Sequence, residues 1–225
     1  MSPAQGVLFD LDGTLVDTAP DMATALNRLR EREGGTPLPY PVIREQVSNG
    51  AGALIRLGFP EADPQAAEFE RLRQHFLALY AEALAVESRL FPGMDAVLDT
   101  LEARGLRWGV VTNKPAFLTE PLLRALGLSE RAGSIVSGDT LPVRKPDPAP
   151  LRHASAALSL LPEHCLYVGD HVRDIEAGRA AGMRTIGALF GYIDANDNPQ
   201  HWGADALIAH PLALLDQLDP PRATP

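Results

Sequence analysis

The chain has 225 residues, 45% hydrophobic and 22% charged, enough for one generous domain or a domain with an insert, and this balance excludes a disordered or coiled-coil chain. A formal net charge of -9 without a dense Lys/Arg run argues against a nucleic-acid partner, so an anionic ligand must be held by fixed donors or a divalent cation. The single cysteine allows no intrachain disulfide, no apolar stretch nears the roughly 18 residues of a membrane span, and residues 1–5 carry neither a basic nor an apolar leader region, so no membrane association and a cytoplasmic location are expected.

The first apolar run, Gly6–Phe9, reads as a buried strand. Asp10-Leu11-Asp12-Gly13-Thr14-Leu15-Val16-Asp17 follows directly, and if the extended geometry persists, Asp10 and Asp12 point the same way. Two carboxylates at the carboxyl end of a strand suit a site in which one is nucleophile and metal ligand while the other is general acid and then base. An acidic turn punctuated by Asp-Gly is the plainer alternative. Residues 17–87 then hold helical patterns and no convincing strand, which predicts an inserted helical module. Met22, Ala25, Leu26 and Leu29 form one apolar stripe, Phe69, Leu72, Phe76 and Leu79 another, and Asp63-Pro64 reads as an N-cap with proline at the first helical position. Between the stripes, Val47-Ser48-Asn49-Gly50-Ala51-Gly52 is a small-residue loop able to reach over a neighbouring surface. Ser48, Asn49 and Gly50 on it and Arg44 and Arg56 beside it are the expected readers of a ligand, with solvated helix arginines as the alternative for Arg44 and Arg56.

Met94, Val97, Leu98 and Leu101 recur at helical spacing and stop at Gly105, and 107–111 is the next strand. Thr112-Asn113-Lys114-Pro115 at its end reads either as an anion site at a helix start or as plain N-capping. After the short run 134–136 comes Arg144-Lys145-Pro146-Asp147-Pro148, a stiff extended loop because a residue before proline avoids the helical region. Lys145 there is either a cation aimed at a transferring phosphoryl group and Asp10, or a surface lysine. The strand 165–168 carries Cys165 as an expected buried thiol and leads into Gly169-Asp170-His171-Val172-Arg173-Asp174. Acids four apart share a helical face and suit Mg²⁺, or compensate a helix dipole. Strands at 184–188 and 206–209 complete an alternation that predicts an α/β fold, a Rossmann-like parallel sheet flanked by helices on both faces.

Taken together and in order, Asp10-x-Asp12-Gly13-Thr14, Thr112, Lys145-Pro146 and Gly169-Asp170-x-x-x-Asp174 resemble the four motifs of the haloacid dehalogenase superfamily, and the insert resembles its helical cap of the first type. The resemblance implies a catalytic core at 1–16 and 88–225 with a cap at 17–87, and a phosphatase working through an aspartyl-phosphate. It implies Asp10 as nucleophile, Asp12 as acid/base, Lys145 as the neutralising cation, and Thr112, Asn113 and Gly13 around the phosphate. It further implies Mg²⁺ held by the carboxylates of Asp10 and Asp170 and the backbone carbonyl of Asp12, with Asp174 binding the metal's waters or orienting Lys145. His171 departs from the serine, threonine or acid usual at its place, which leaves its role open. The presence of Asp12 favours phosphatase over dehalogenase, because only an alkoxide leaving group needs the proton; a phosphomutase and a non-catalytic sensor of phosphorylated ligands are the remaining alternatives.

A second resemblance rests on Ser88-Arg89-Leu90-Phe91-Pro92-Gly93-Met94, Gly191-Tyr192-Ile193 and Asp197-Asn198-Pro199-x-x-Trp202-Gly203-Ala204-Asp205. These segments are similar to the N-acetylmuramic acid 6-phosphate phosphatases within the phosphoglycolate-phosphatase-like branch. They imply a small phosphorylated metabolite as partner, the amino-sugar phosphate first and 2-phosphoglycolate second. Tyr192 and Trp202 are expected to pack the last strand whatever the substrate.

Overall fold

A computed structural model describes residues 3–219, so Met1 and Ser2 of the segment read above for a leader lie outside the described residues. The chain opens with β1 (Gly6–Phe9) and the two-residue β2 (Val16–Asp17), then gives four helices, α1 (Ala19–Arg32), α2 (Tyr40–Arg44), α3 (Ala51–Gly58) and α4 (Ala67–Glu82). After β3 (Arg89–Leu90) come α5 (Met94–Ala103), β4 (Arg107–Val111), α6 (Ala116–Ala125), β5 (Ser134–Val136), α7 (Ala149–Ala157), β6 (Cys165–Gly169), α8 (Val172–Ala181), β7 (Arg184–Ala188) and β8 (Ala206–Ile208).

Six of these strands form one parallel sheet in the order β5-β4-β1-β6-β7-β8, the Rossmann-like arrangement that the alternation predicted. Parallel strands buried on both faces read as continuous apolar runs, which is why Val7, Leu8 and Phe9 are all shielded. Within the runs, the two-residue period still divides side chains between the faces. Val7, Phe9, Leu166 and Val168 join the apolar cluster under α5 and α6, whereas Leu8, Cys165 and Tyr167 join the cluster under α7 and α8. Cys165 is buried as expected. The strand order reverses at β1, which lies between β4 and β6, so the carboxyl ends of these three strands frame the crevice where open α/β sheets collect ligands.

The helices between β2 and β3 pack through the stripes seen in the sequence: Met22, Ala25, Leu26 and Leu29 of α1, and Phe69, Leu72, Phe76 and Leu79 of α4, are all buried. Their two connections to the sheet pair with each other, Val16 against Leu90 and Asp17 against Arg89, in an antiparallel ribbon. A buried clasp closes its base, where Asp21 accepts hydrogen bonds from the Glu87 and Ser88 amides and from the Ser88 hydroxyl at 2.6–3.0 Å. Two residues per strand are too few for any periodicity, so this ribbon leaves no trace in the sequence. The Asp63-Pro64 expectation needs correction, because α4 starts at Ala67; Asp63 instead closes a separate turn by accepting from the Gln65 amide at 2.9 Å, a local side-chain bond that competes with helix initiation. Among the described residues no helix is long and apolar enough to cross a membrane.

Candidate active site

The loop after β1 does not stay extended. Gly13 takes a positive φ of 85°, the Leu15 amide turns back onto the Asp10 carbonyl, and this compact turn presents both Asp10 and Asp12 to one cavity. A side chain on Gly13 would also run into the Asp170 carboxylate and the Tyr192 ring, so glycine is required there twice over. Gly13 therefore seats Asp170 and is absent from the cavity lining.

Lys145 and the acids form a tight cluster. Its ammonium, 1% exposed at the side chain, lies 2.8 Å from Asp10 Oδ1, 2.8 Å from Asp174 Oδ1 and 2.8 Å from the Tyr167 hydroxyl. Burial opposes its charge, but the two carboxylates outweigh that and hold its pKa above the ordinary lysine value. Asp10 Oδ1 also accepts from the Leu11 amide at 2.7 Å, leaving Oδ2 without a partner among the described residues. Asp174 closes a capping box at the start of α8, with Oδ2 accepting from the His171 amide at 3.1 Å, so both of its oxygens are engaged. It orients Lys145.

Carboxylate oxygens of Asp10, Asp170 and Asp174 lie within 4.8 Å of one another, and two of the three acids pair with the Lys145 ammonium. Burial, with Asp174 and Asp170 adding to it against the pull of Lys145, raises Asp10 to about 7. Burial and Asp174 raise Asp170 to about 6, opposed by donors from Tyr192, Ser48 and Thr14. Carboxylates that prefer a proton at these values form a hard-oxygen site short of positive charge, and Mg²⁺ fits it. Asp10 and Asp170 bring carboxylate oxygens to it, those of Asp170 also accepting from the Thr14 and Ser48 hydroxyls and the Tyr192 amide.

Asp12 stands apart from this cluster. Its Oδ1 accepts from the Thr18 hydroxyl at 2.6 Å and from the Lys114 ammonium at 2.8 Å, and its Oδ2 has no partner among the described residues. Thr112 follows β4 and accepts the Lys114 amide at 3.1 Å, which leaves its hydroxyl hydrogen available to a phosphate. Asn113 lines the cavity, but its side chain is spent on the Lys145 backbone, donating to the carbonyl and accepting from the amide at 3.0 Å each; it shapes the loop that carries Lys145.

The cavity holds about 300 Å³ between the sheet and the inserted helices. Ser48 and Asn49 line it, though both reach across to the core: the Ser48 hydroxyl donates to Asp170 Oδ2 at 2.7 Å, its carbonyl accepts from Arg173 at 2.7 Å, and Asn49 Oδ1 faces His171 Nε2 at 3.2 Å. His171 Nδ1 accepts from the Arg173 amide, so Nε2 carries the hydrogen and donates to Asn49. That contact gives His171 a role the sequence left open.

Arg44 and Arg56 are corrected by their positions. The Arg44 guanidinium donates to the carbonyls of Phe190 and Gly191 and lies 4.8 Å over the Tyr192 ring, and Arg56 lies in an adjoining surface hollow that shares Asn49 with the cavity. Neither is part of the cavity lining. Arg73, Arg144 and Arg173 line it instead. Arg144 and Arg173 sit inside the two motifs already singled out, whereas Arg73 lies on the polar side of α4 and has no local signal. Lys114 and Tyr80, discussed below, were also missed.

Residues 4–182 match the family model of the haloacid dehalogenase-like hydrolases. The chain is 44% identical over 215 residues to an N-acetylmuramic acid 6-phosphate phosphatase of Pseudomonas aeruginosa, covering 96% of this chain and 95% of the relative. It is also 44% identical over 208 residues to a phosphoglycolate phosphatase of Xylella fastidiosa, covering 92% and 90%. A crystal structure described as a predicted phosphoglycolate phosphatase from Haemophilus somnus superposes with a TM-score of 0.85 at 30% identity, covering 96% of this chain and 99% of the other.

Proposed function

Because this chain belongs to the haloacid dehalogenase-like hydrolases and is a phosphatase of that family, we propose that it hydrolyses N-acetylmuramic acid 6-phosphate through a phosphorylated Asp10. The observation that carries the chemistry is the separate tethering of two carboxylates facing one cavity, Asp10 on Lys145 and Asp12 on Lys114 and Thr18. Asp10 Oδ2 attacks phosphorus while the bond to the leaving sugar oxygen breaks and Asp12 delivers its proton to that oxygen. In the second step Asp12 takes a proton from water, the water oxygen attacks the same phosphorus, and phosphate departs from a regenerated Asp10. Lys145 neutralises charge on Asp10 and the phosphoryl oxygens, and the Thr112 hydroxyl donates to one of them. Asp10, Asp170 and the Asp12 carbonyl would hold Mg²⁺, which would supply Lewis-acid stabilisation of the phosphoryl charge.

Two features support the amino-sugar substrate. The relative from Pseudomonas aeruginosa is named for it, and a cavity of about 300 Å³ leaves a two-carbon acid largely surrounded by water. Apolar Met22, Leu77 and Leu118 lining the same cavity as Arg73, Arg144 and Arg173 suit a ligand with both a sugar body and a carboxylate. 2-Phosphoglycolate is the second reading, because several relatives carry that name.

The test is phosphate release by the purified protein with Mg²⁺. kcat/KM is expected to be at least ~10-fold higher for the amino-sugar phosphate than for 2-phosphoglycolate, and the reverse order overturns the substrate. D10N is expected to abolish turnover with an unchanged circular dichroism spectrum; near-native turnover would remove Asp10 as nucleophile. Absence of release from every member of a broad metabolite panel would favour a sensor.

A further inference from the structure

Lys114 faces the cavity and takes no part in the bond changes at phosphorus. Its side chain is 3% exposed, and its ammonium lies 2.8 Å from Asp12 Oδ1 and 3.0 Å from the Tyr80 hydroxyl, 4.5 Å over the Tyr80 ring. A lysine kept from water is tolerated only where its charge is paired and its donors are used. Here Asp12 supplies the charge and Tyr80 a second acceptor. Tyr80 belongs to the inserted helix α4 and is itself buried, its ring stacked near-parallel on Phe76 one turn back, at 6.4 Å between centroids. The core lysine thus has one partner in each part of the molecule.

The geometry has a consequence for Asp12. A carboxyl group free to rotate can hold its proton on either oxygen. Asp12 Oδ1 already accepts from an ammonium and from the Thr18 hydroxyl, so a proton placed there would confront two donors. Only Oδ2 remains to carry it. We infer that Lys114, buttressed by Tyr80, is a positioning residue that fixes Asp12 so that Oδ2 alone exchanges the proton with the leaving-group oxygen and then with water. This rests on the reading of Asp12 as acid and base. It also makes the acid/base orientation depend on the inserted helices, since Tyr80 comes from α4.

The distinguishing experiment compares leaving groups. An alkyl phosphate such as the amino-sugar phosphate needs the proton in the first step, whereas p-nitrophenyl phosphate releases a stable phenolate without it. For K114M, kcat on the alkyl phosphate is expected to fall about 100-fold, the lower end of what general acid catalysis contributes. The first turnover of p-nitrophenyl phosphate is expected to stay within about twofold of wild type and to become a burst ahead of a slow steady state, because dephosphorylation still needs Asp12 as base. Y80F, which keeps the ring and loses the hydroxyl, is expected to show the same split at about a tenth of that size, and it carries the test if K114M does not fold. Equal losses on both substrates, or unchanged alkyl turnover, overturn the inference. D12N separates the two layers of the reading. If it keeps alkyl turnover, Asp12 is not the acid; if it loses turnover while K114M and Y80F do not, only the role of Lys114 fails.

Discussion

Three carboxylates gathered within 4.8 Å of one another, two of them paired with one ammonium, leave the centre of this molecule short of positive charge. Asp10, raised to about 7, and Asp170, raised to about 6, both stand above the ordinary carboxylate value of 3.8. A group whose pKa is higher in the folded state binds more protons there than in the unfolded chain, so its contribution to stability is complete below the unfolded value and is lost as pH rises through the folded one. The ion-free protein should therefore lose stability from these two groups between about pH 4 and about pH 7, in the window set by those shifts. A divalent cation binds the charged forms and reverses the loss. The rise in melting temperature on adding millimolar Mg²⁺ is expected to be small near pH 5 and large near pH 8, where the acids are ionised, roughly as the linkage requires. Thermal melts with and without the ion check this, and an identical shift at both pH values would mean that these carboxylates do not hold it.

Between elements, single side chains tie the inserted helices to the sheet. The Tyr192 hydroxyl accepts from the Thr18 and Ala19 amides at 2.6 and 2.9 Å and donates to Asp17 at 2.6 Å, so one buried phenol completes the first turn of α1 and holds the ribbon at its foot. Thr18 at that N-cap makes no capping bond of its own, since its hydroxyl is given to Asp12. The tyrosine does the capping instead. Y192F leaves two helix-start amides buried without an acceptor and is expected to cost about 2 kcal/mol, read as a lower midpoint in urea. An unchanged midpoint would show that water replaces the phenol there. The same logic applies at α8, where His171 and Asp174 cap the helix reciprocally while each reaches elsewhere, His171 to Asn49 and Asp174 to Lys145. Capping residues are thus shared between local structure and the site.

At the scale of the whole molecule, the apolar cluster under α5 and α6 is continuous with that of the inserted helices: Leu26, Leu54 and Phe76 belong to the same cluster as Phe9, Val97 and Val110. Two layers that share one core are expected to unfold together. L26A removes buried methyl groups from α1 and is expected to lower a single unfolding transition by about 3 kcal/mol, with calorimetric and van't Hoff enthalpies still equal. Appearance of an early, separate transition in L26A would mean that the inserted helices melt on their own.

The sequence alone determined the six-stranded alternation, because doubly buried strands must be apolar over their whole length and each must end in turn residues before the next helix. It also marked the strand ends at Asp10, Thr112 and Asp170, since acids and hydroxyls directly after an apolar run stand out against it. Only the tertiary structure decided which oxygen of each acid is taken: Lys145 and Leu11 on Asp10, Lys114 and Thr18 on Asp12, Lys145 and His171 on Asp174. Arginines of the inserted helices show the same divide. Arg44, Arg56 and Arg73 look alike along the chain, yet only Arg73 lines the cavity. A helix carries cations on any polar face at little local cost, and which face meets the sheet is fixed by how α1 to α4 pack over strands distant in sequence. Local patterns encode what each segment buries; the partners of a charge are chosen when those segments meet.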